Sequence, residues 1–434
     1  MRLRVAGRSV PLDRAAARGA VAAARDVLRA EVASQPRFLR RWFAALTLIV
    51  IVGAAAAALT VPPGAEVFGT TPPFEWGLLI SGYVFLVVTT SGLCLVNSLG
   101  MVFGIDRFKP LEMRHVVLAL LFLVAGFAVI ALDVHYPLRI VFGVVFSPSP
   151  SSPMWWMGVV YAMYLGVLVF ELFANLSPYR RLAHASCVVA TGYAIVAPTT
   201  LGLVFASLVS RPFWQGSATP VYLLVTAVLS GASVLGIVFV LVNRLKLPGH
   251  GPETTGVIGG IRAVLLLTLL AVAGYTGLRT LLAITIGSAA ERDAMAALLF
   301  GPLGPQSWVV RVGVGLVVPL LILIWPTTRR GAIVFAASCL VLIGMFFDRF
   351  GFVAAGQIAS SPAASGIVAV PYATYTPSLI EIGIVVGAIA AVGLVYTLAE
   401  RFVDLSSPGG PGDVHGVRAS GLRTILRRTL GAAR

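Results

Sequence analysis

The sequence predicts an all-α, polytopic membrane protein with about ten transmembrane helices. Three observations carry that expectation. Of 434 residues, 58% are hydrophobic and only 11% are charged, under half the share of about 25% usual in soluble chains. The mean hydropathy is +0.94. Apolar runs of about 20 residues, enough to cross a hydrocarbon layer of about 30 Å, recur along the whole length. No alternating strand pattern competes, which excludes a β-barrel.

Ten apolar segments lie at roughly 42–61, 77–104, 115–136, 154–176, 182–208, 218–243, 261–288, 308–327, 331–356 and 378–400. Turn and breaker clusters part them: Pro62-Pro63-Gly64, the run from Ser147 to Pro153, and the run from Pro248 to Pro252. The chain therefore divides into a basic N-terminal segment (1–41), a ten-helix domain (42–404) and a basic tail (405–434). A secretory signal would put its apolar stretch directly after a short basic region, and here about forty residues intervene. Those residues include Arg14, Arg18, Arg25 and Arg29 among many alanines. They fit either a basic helix on an anionic membrane surface or a partly ordered tail.

Lysine and arginine set the expected orientation. The N-terminal segment, every second loop after it and the tail together hold 26 of the 32 basic residues. The intervening loops hold 3, and Arg279, Arg311 and Arg349 fall inside apolar segments. By the positive-inside rule both termini face the cytoplasm. The outer loops are then near 62–76, 137–153, 209–217, 289–307 and 357–377. This asymmetry also explains the net charge of +15 without a nucleic-acid surface. A prokaryotic cytoplasmic (inner) membrane is the expected setting.

A short internal repeat is visible. Segment 2 carries Tyr83 and Ser91-Gly92, and segment 6 carries Tyr222 and Ser230-Gly231, with the same Tyr-to-Ser spacing. Four segments separate them, so both run the same way across the membrane. The expected architecture is two parallel four-helix bundles, segments 2–5 and 6–9, flanked by segments 1 and 10.

Ionisable residues inside a bilayer are costly and are functional suspects by default. Here they are Asp133 and His135 at the end of segment 3, Glu171 in segment 4, Arg279 in segment 7, Asp348-Arg349 in segment 9 and Glu381 in segment 10. At a rise of about 1.5 Å per residue, Asp133 lies about 27 Å beyond His115. Arg279 and Asp348 lie about 25 Å beyond the inner ends of their segments. Asp133, Arg279, Asp348, Arg349 and Glu381 therefore share a layer near the outer face, while Glu171 sits toward the cytoplasm. Arg279, Asp348 and Arg349 suit an ion-pair scaffold or a proton path. Asp133 and His135 suit binding and deprotonation of a hydroxyl at the membrane boundary, or a simple helix-end cap. For Glu171, a proton path and helix packing are both open.

Cys94, Cys187 and Cys339 all lie in apolar runs and form no CxxC pair, so no iron–sulfur or zinc site is expected on this chain. A b-type haem needs two facing ligands at one depth. Only His115 and His184 share a depth, both at the cytoplasmic boundary, and no haem is expected.

The residues resemble a known family. The stretch from Phe74-Glu75-Trp76-Gly77 through Ser91-Gly92-Leu93 is similar to the first bundle helix of NrfD/PsrC-type subunits, the membrane subunits of polysulfide reductase and its kin. Leu132-Asp133-Val134-His135-Tyr136-Pro137 stands where they carry an Asp-Leu-Gly-Arg-Pro-like motif, with His135 in place of the usual glycine. A Ser/Pro-rich loop, Phe146 to Met154, follows, and then a helix with Tyr161, Tyr164 and Glu171. Pro198-Thr199-Thr200, Arg279, Arg349 and the run from Tyr375 to Glu381 resemble the ten-helix, HybB/DsrP-like branch, over roughly residues 70–405. After Pro198-Thr199 this chain continues Thr200-Leu201, where relatives can carry a histidine.

The resemblance implies a quinone-interacting, haem-free membrane subunit of a respiratory electron-transfer complex. Its substrate would be a quinone, menaquinone or ubiquinone. Its partners would be a ferredoxin-like iron–sulfur subunit and a catalytic oxidoreductase, which could be a molybdopterin enzyme, a hydrogenase or a sulfur-metabolising complex. Tyr83, Asp133 and His135 become headgroup candidates. Glu171, Arg279, Asp348, Arg349 and Glu381 become candidates for proton transfer or an ion-pair scaffold. Two rival expectations stand beside this one. A transporter or channel would use the same buried charges as a substrate path, although no matched Gly/Pro interruptions mark broken helices. A structural anchor would have no quinone chemistry.

Overall fold

The structure is a computed structural model. It describes residues 2–5, 8–11, 37–60, 67–70, 74–134, 146–216, 218–244, 254–325, 330–358, 375–402 and 405. Ten helices in it are long and apolar enough to span a bilayer. They are α1 (Arg37–Ala58), α2 (Leu78–Met101), α3 (Glu112–Asp133), α4 (Pro153–Leu176) and α5 (Arg180–Ala206). The second half holds α6 (Ala218–Arg244), α7 (Thr254–Thr285), α8, α9 (Arg330–Ile358) and α10 (Leu379–Phe402). Helix α8 is wound as a π-helix over Gln306–Val317 and continues as an α-helix over Val318–Ile324. The protein is an all-α, multi-pass membrane protein, as its hydropathy predicts. Arg2–Val5 and Arg8–Pro11 add a small antiparallel hairpin, β1 and β2. The expected basic helix with Arg14, Arg18, Arg25 and Arg29 lies outside the described residues.

Helices α2–α5 close into one four-helix ring, and α6–α9 into a second. Helix α1 packs on α10, and α10 leans on α2 and α3. The rings meet where α2 crosses α6. This crossing falls on the repeated Ser-Gly pairs. A Cβ on Gly92 would lie 1.7 Å from the Ala227 carbonyl oxygen, and one on Gly231 would lie 2.1 Å from Gly92 C. Small residues let backbones approach this closely where no hydrophobic drive favours association. The repeat is therefore the contact that joins the bundles. Both central helices are deeply buried and carry Ser and Thr. Their hydroxyls bond back to the preceding turn, as in Thr89 Oγ1 to Phe85 O (2.6 Å) and Ser230 Oγ to Thr226 O (3.1 Å). This satisfies such hydroxyls without a partner helix, while Ser91 Oγ, buried at the crossing, has no hydrogen-bond partner among the described residues.

Two serine signatures start helices. Ser152 accepts from Trp155 N ahead of Pro153, opening α4. Ser288 accepts from Glu291 N (3.2 Å) and opens a short helix, Ala289–Leu299, inside the segment expected to be an outer loop. At the basic face, Arg114 Nε meets Glu400 Oε1 at 2.9 Å, with both side chains 3% exposed. That pair fastens α3 to the end of α10.

Candidate functional site

The first bundle opens a cavity at the face opposite the basic one. Its walls are Trp76 ahead of α2, Ile80 and Tyr83 on α2, Ile130 and Asp133 on α3, Trp155 and Met157 on α4, and Leu201 and Phe205 on α5. Its space is about 1300 Å³ including the mouth. The lining is apolar and aromatic, with serines 147, 149 and 152 at the rim. Two protonatable groups enter it. Tyr83 is buried, with its hydroxyl 3.8 Å from Met157 Sδ. Asp133 ends α3, and among the described residues no donor reaches its carboxylate. His135 lies outside the described residues.

Trp76 is fixed from the other bundle. Gln357 on α9 accepts from Trp76 N (2.8 Å) and donates to Trp76 O (2.9 Å). The Trp76 ring stacks on Trp214 at 5.1 Å, and Trp214 Nε1 donates to Phe352 O (2.8 Å). One wall of the cavity is thus set by α9.

A row of buried polar groups runs from this cavity toward the basic face. Tyr161, Tyr164 and Glu171 follow one another on the buried face of α4, spanning about 15 Å at 1.5 Å per residue. Tyr161 lies within electrostatic reach of Tyr83 and Tyr164, and Tyr164 of Glu171. Glu171 Oε1 then lies 3.3 Å from His115 Nε2, and that nitrogen lies 3.3 Å from Asn97 Nδ2. The Glu171 contact lacks hydrogen-bond alignment. Both Glu171 oxygens, His115 Nδ1 and the Tyr161 and Tyr164 hydroxyls lack an aligned partner among the described residues. Each such group costs about 1–3 kcal/mol to keep, so packing alone does not explain the row. His115 is 1% exposed and turned inward, whereas His184 is exposed. The two do not form a facing pair.

The second bundle holds an ion-pair cluster built on Asp348. Asp348 meets Arg311 Nε (2.9 Å), Arg349 Nη1 (3.3 Å) and the Tyr222 hydroxyl. Arg349, 1% exposed, also donates to Thr226 Oγ1 and lies over the Tyr222 ring. Arg279 donates to Phe213 O (2.5 Å) and lies over the Phe213 ring at 4.3 Å. Tyr222, the repeat partner of Tyr83, therefore faces a filled ion-pair cage where Tyr83 faces open space.

Glu381 belongs to neither group. It forms a capping box with Ser378: its Oε2 accepts from Ser378 N (2.7 Å) and Gly69 N (3.0 Å), and Ser378 Oγ accepts from Glu381 N (3.2 Å). The Tyr375 hydroxyl donates to Oε1 (2.5 Å). This arrangement starts α10 and ties it to the chain ahead of α2.

Sequence reasoning missed three partners. Arg311 is a lone charge in Val309-Val310-Arg311-Val312, and only the fold turns it onto Asp348. His115 stands near a helix end and reads as interfacial, yet it is Glu171's neighbour. Gln357 falls just past the apolar segment at 331–356, at the start of the expected outer loop, and only the longer helix α9 brings it onto Trp76.

The family profile described as Polysulphide reductase, NrfD matches residues 66–360. A protein of Halobacterium salinarum, provisionally named as the membrane C subunit of dimethyl sulfoxide reductase, is 26% identical, over 84% of this chain and 91% of its own length. The C subunit of selenate reductase from Mesobacillus selenatarsenatis is 21% identical, over 83% and 93%. The Hdr-like menaquinol oxidoreductase integral membrane subunit of Archaeoglobus fulgidus is 23% identical, over 78% and 86%.

Proposed function

The chain belongs to the polysulphide reductase NrfD family, and from that premise we propose that it is the quinone-reactive membrane subunit of an electron-transfer complex. One observation carries the reading: the cavity of the first bundle is apolar and aromatic, and the protonatable side chains lining it are Tyr83 and Asp133. A quinone is a flat apolar ring with two carbonyl oxygens and a long hydrocarbon tail. It needs such walls, a hydrogen-bond donor and a proton acceptor. The relatives' names, which include subunits of reductases and a menaquinol oxidoreductase, point the same way.

Quinone reduction takes two electrons and two protons, and quinol oxidation releases them. In this reading Tyr83 donates to one quinone oxygen, and Asp133, with His135 beside it in sequence, takes or returns a proton at the other. A ferredoxin-like iron–sulfur partner supplies or accepts the electrons from above the cavity. A catalytic oxidoreductase partner completes the complex. The row Tyr161, Tyr164, Glu171 and His115 serves as a proton path between the cavity and the basic face. Arg279, Asp348 and Arg349 act as an ion-pair scaffold, and Glu381 as a structural cap. The basic face lies in the cytoplasm of a prokaryotic cell and the cavity at the outer side of its inner membrane. Residues 1–41 and 405–434 form the basic cytoplasmic ends of the 42–404 domain.

The test is purification through a tag on this chain. The expected product is a complex with iron–sulfur protein that turns over a menaquinone or ubiquinone analogue. A chain that purifies alone and moves a solute across proteoliposomes would overturn the reading.

A further inference from the structure

Helix α1 opens at the basic face with three arginines and no acid. Arg37, Arg40 and Arg41 stand in its first five residues, and no Asp or Glu occurs between Arg37 and Ala58. All three are exposed. Among the described residues none of them has an ion pair or a side-chain hydrogen bond. They converge with Ala44 on one cleft, whose space is about 650 Å³ including the mouth, and no described carboxylate lines it. The acid at the basic end of α10, Glu400, is committed to Arg114. Like charges three and four residues apart on a helix repel, so an anion in the cleft is stabilising.

Depth and surroundings fix the kind of anion. The 22 residues of α1 span about 33 Å at 1.5 Å per residue, close to the hydrocarbon thickness of about 30 Å. The arginines therefore sit at the edge of that layer. Trp42 marks the same level: it is 39% exposed, and its Nε1 donates to Thr397 Oγ1 (3.4 Å). Tryptophan gathers at headgroup depth. Below the cleft the surface turns apolar without leaving the helix face. Arg37, Arg41, Ala44, Leu48, Ile51 and Ala55 recur at alternating steps of four and three, which places them on one side. All are exposed, Leu48 by 62% and Ile51 by 59%. Ala44 belongs to both the cleft and the stripe. The anion therefore has hydrocarbon directly beneath it, which a soluble ion does not use and a lipid does.

We propose that the start of α1 binds one anionic phospholipid from the leaflet at the basic face. Its phosphate lies among Arg37, Arg40 and Arg41, and an acyl chain runs along Ala44, Leu48 and Ile51. Arginine suits this role because its planar donors match phosphate geometry while its stem lies on apolar surface. Helix α1 packs chiefly on α10, so the lipid gives this flanking helix a second hold. The site stands on charge and depth, independently of the quinone reading.

The experiment is native mass spectrometry of the full chain, with any subunits that accompany it, after equilibration in neutral detergent with phosphatidylglycerol or phosphatidylcholine. Phosphatidylglycerol should saturate one site at a concentration about tenfold below that needed for phosphatidylcholine. Excess inorganic phosphate should leave it bound. Arg37→Gln combined with Arg41→Gln should weaken phosphatidylglycerol retention by at least about tenfold, the loss of two charge-assisted contacts, and leave phosphatidylcholine retention unchanged. Arg41→Lys keeps the charge that orients the helix and loses the planar fork. It should weaken retention by a smaller factor, and it is the second variant if the double one does not fold. Equal retention of the two lipids, or displacement by phosphate, would overturn the proposal. So would unchanged phosphatidylglycerol retention in the folded double variant, or in Arg41→Lys if only that variant folds.

Discussion

Asp133→Asn is expected to cut quinone-linked turnover by about 10²–10⁴-fold, the usual contribution of a positioned proton acceptor. Assembly should be unaffected. Asparagine matches aspartate in size and shape, and no described donor depends on the carboxylate. Tyr83→Phe should have a smaller effect, raising KM more than it lowers kcat, because it removes a single hydrogen bond to a ligand already held by apolar walls. Steady-state kinetics with a soluble quinone analogue, alongside size-exclusion of the complex, separates the two. Full turnover in Asp133→Asn would remove Asp133 from the site.

Gly92→Val should disrupt folding. Its Cβ would enter the space of the Ala227 carbonyl, 1.7 Å away, so α2 and α6 would have to part along the joint between bundles. Overpacking in a well-packed core costs about 1–3 kcal/mol, and a backbone-to-backbone crossing has no side chain that can yield. The expected loss is at the top of that range or beyond. Gly166→Val is the matched control: Gly166 is exposed on α4, and a Cβ there would meet nothing within 4 Å. It should change stability by no more than about 0.5 kcal/mol. Membrane yield and thermal unfolding of both variants check this. Equal tolerance of both would contradict the bundle interface.

The spans were legible because hydropathy and breaker residues act locally. The segment expected at 154–176 is α4 at Pro153–Leu176, and that at 378–400 is α10 at Leu379–Phe402. The two bundles were legible through Tyr83/Ser91-Gly92 and Tyr222/Ser230-Gly231, since the repeated glycines mark the contact between the central helices. Depth was legible because helix rise is constant, which brought Asp348, Arg349 and Arg279 to one level. Partnership was not legible, because it depends on which helix faces which. Arg311 pairs with Asp348 only because α8 lies against α9, and His115 meets Glu171 only because the first bundle closes. Glu381 reads as a buried charge when taken alone. Ser378-Leu379-Ile380-Glu381 is a capping-box pattern, and reading the pair would have assigned it to helix initiation. Ser288-Ala289-Ala290-Glu291 carries the same signal for the short helix in the outer loop.

If the quinone enters the first bundle rather than the second, its headgroup must lie against α2, α3 and α4. Photolabelling the purified complex with a headgroup-azido quinone, followed by peptide mapping, tests this most directly. Labels are expected on α2 near Tyr83, on α3 near Asp133 and on α4 near Met157, competed away by unlabelled quinone. Competed labels confined to α7–α9, or none at all, would contradict a quinone site in the first bundle.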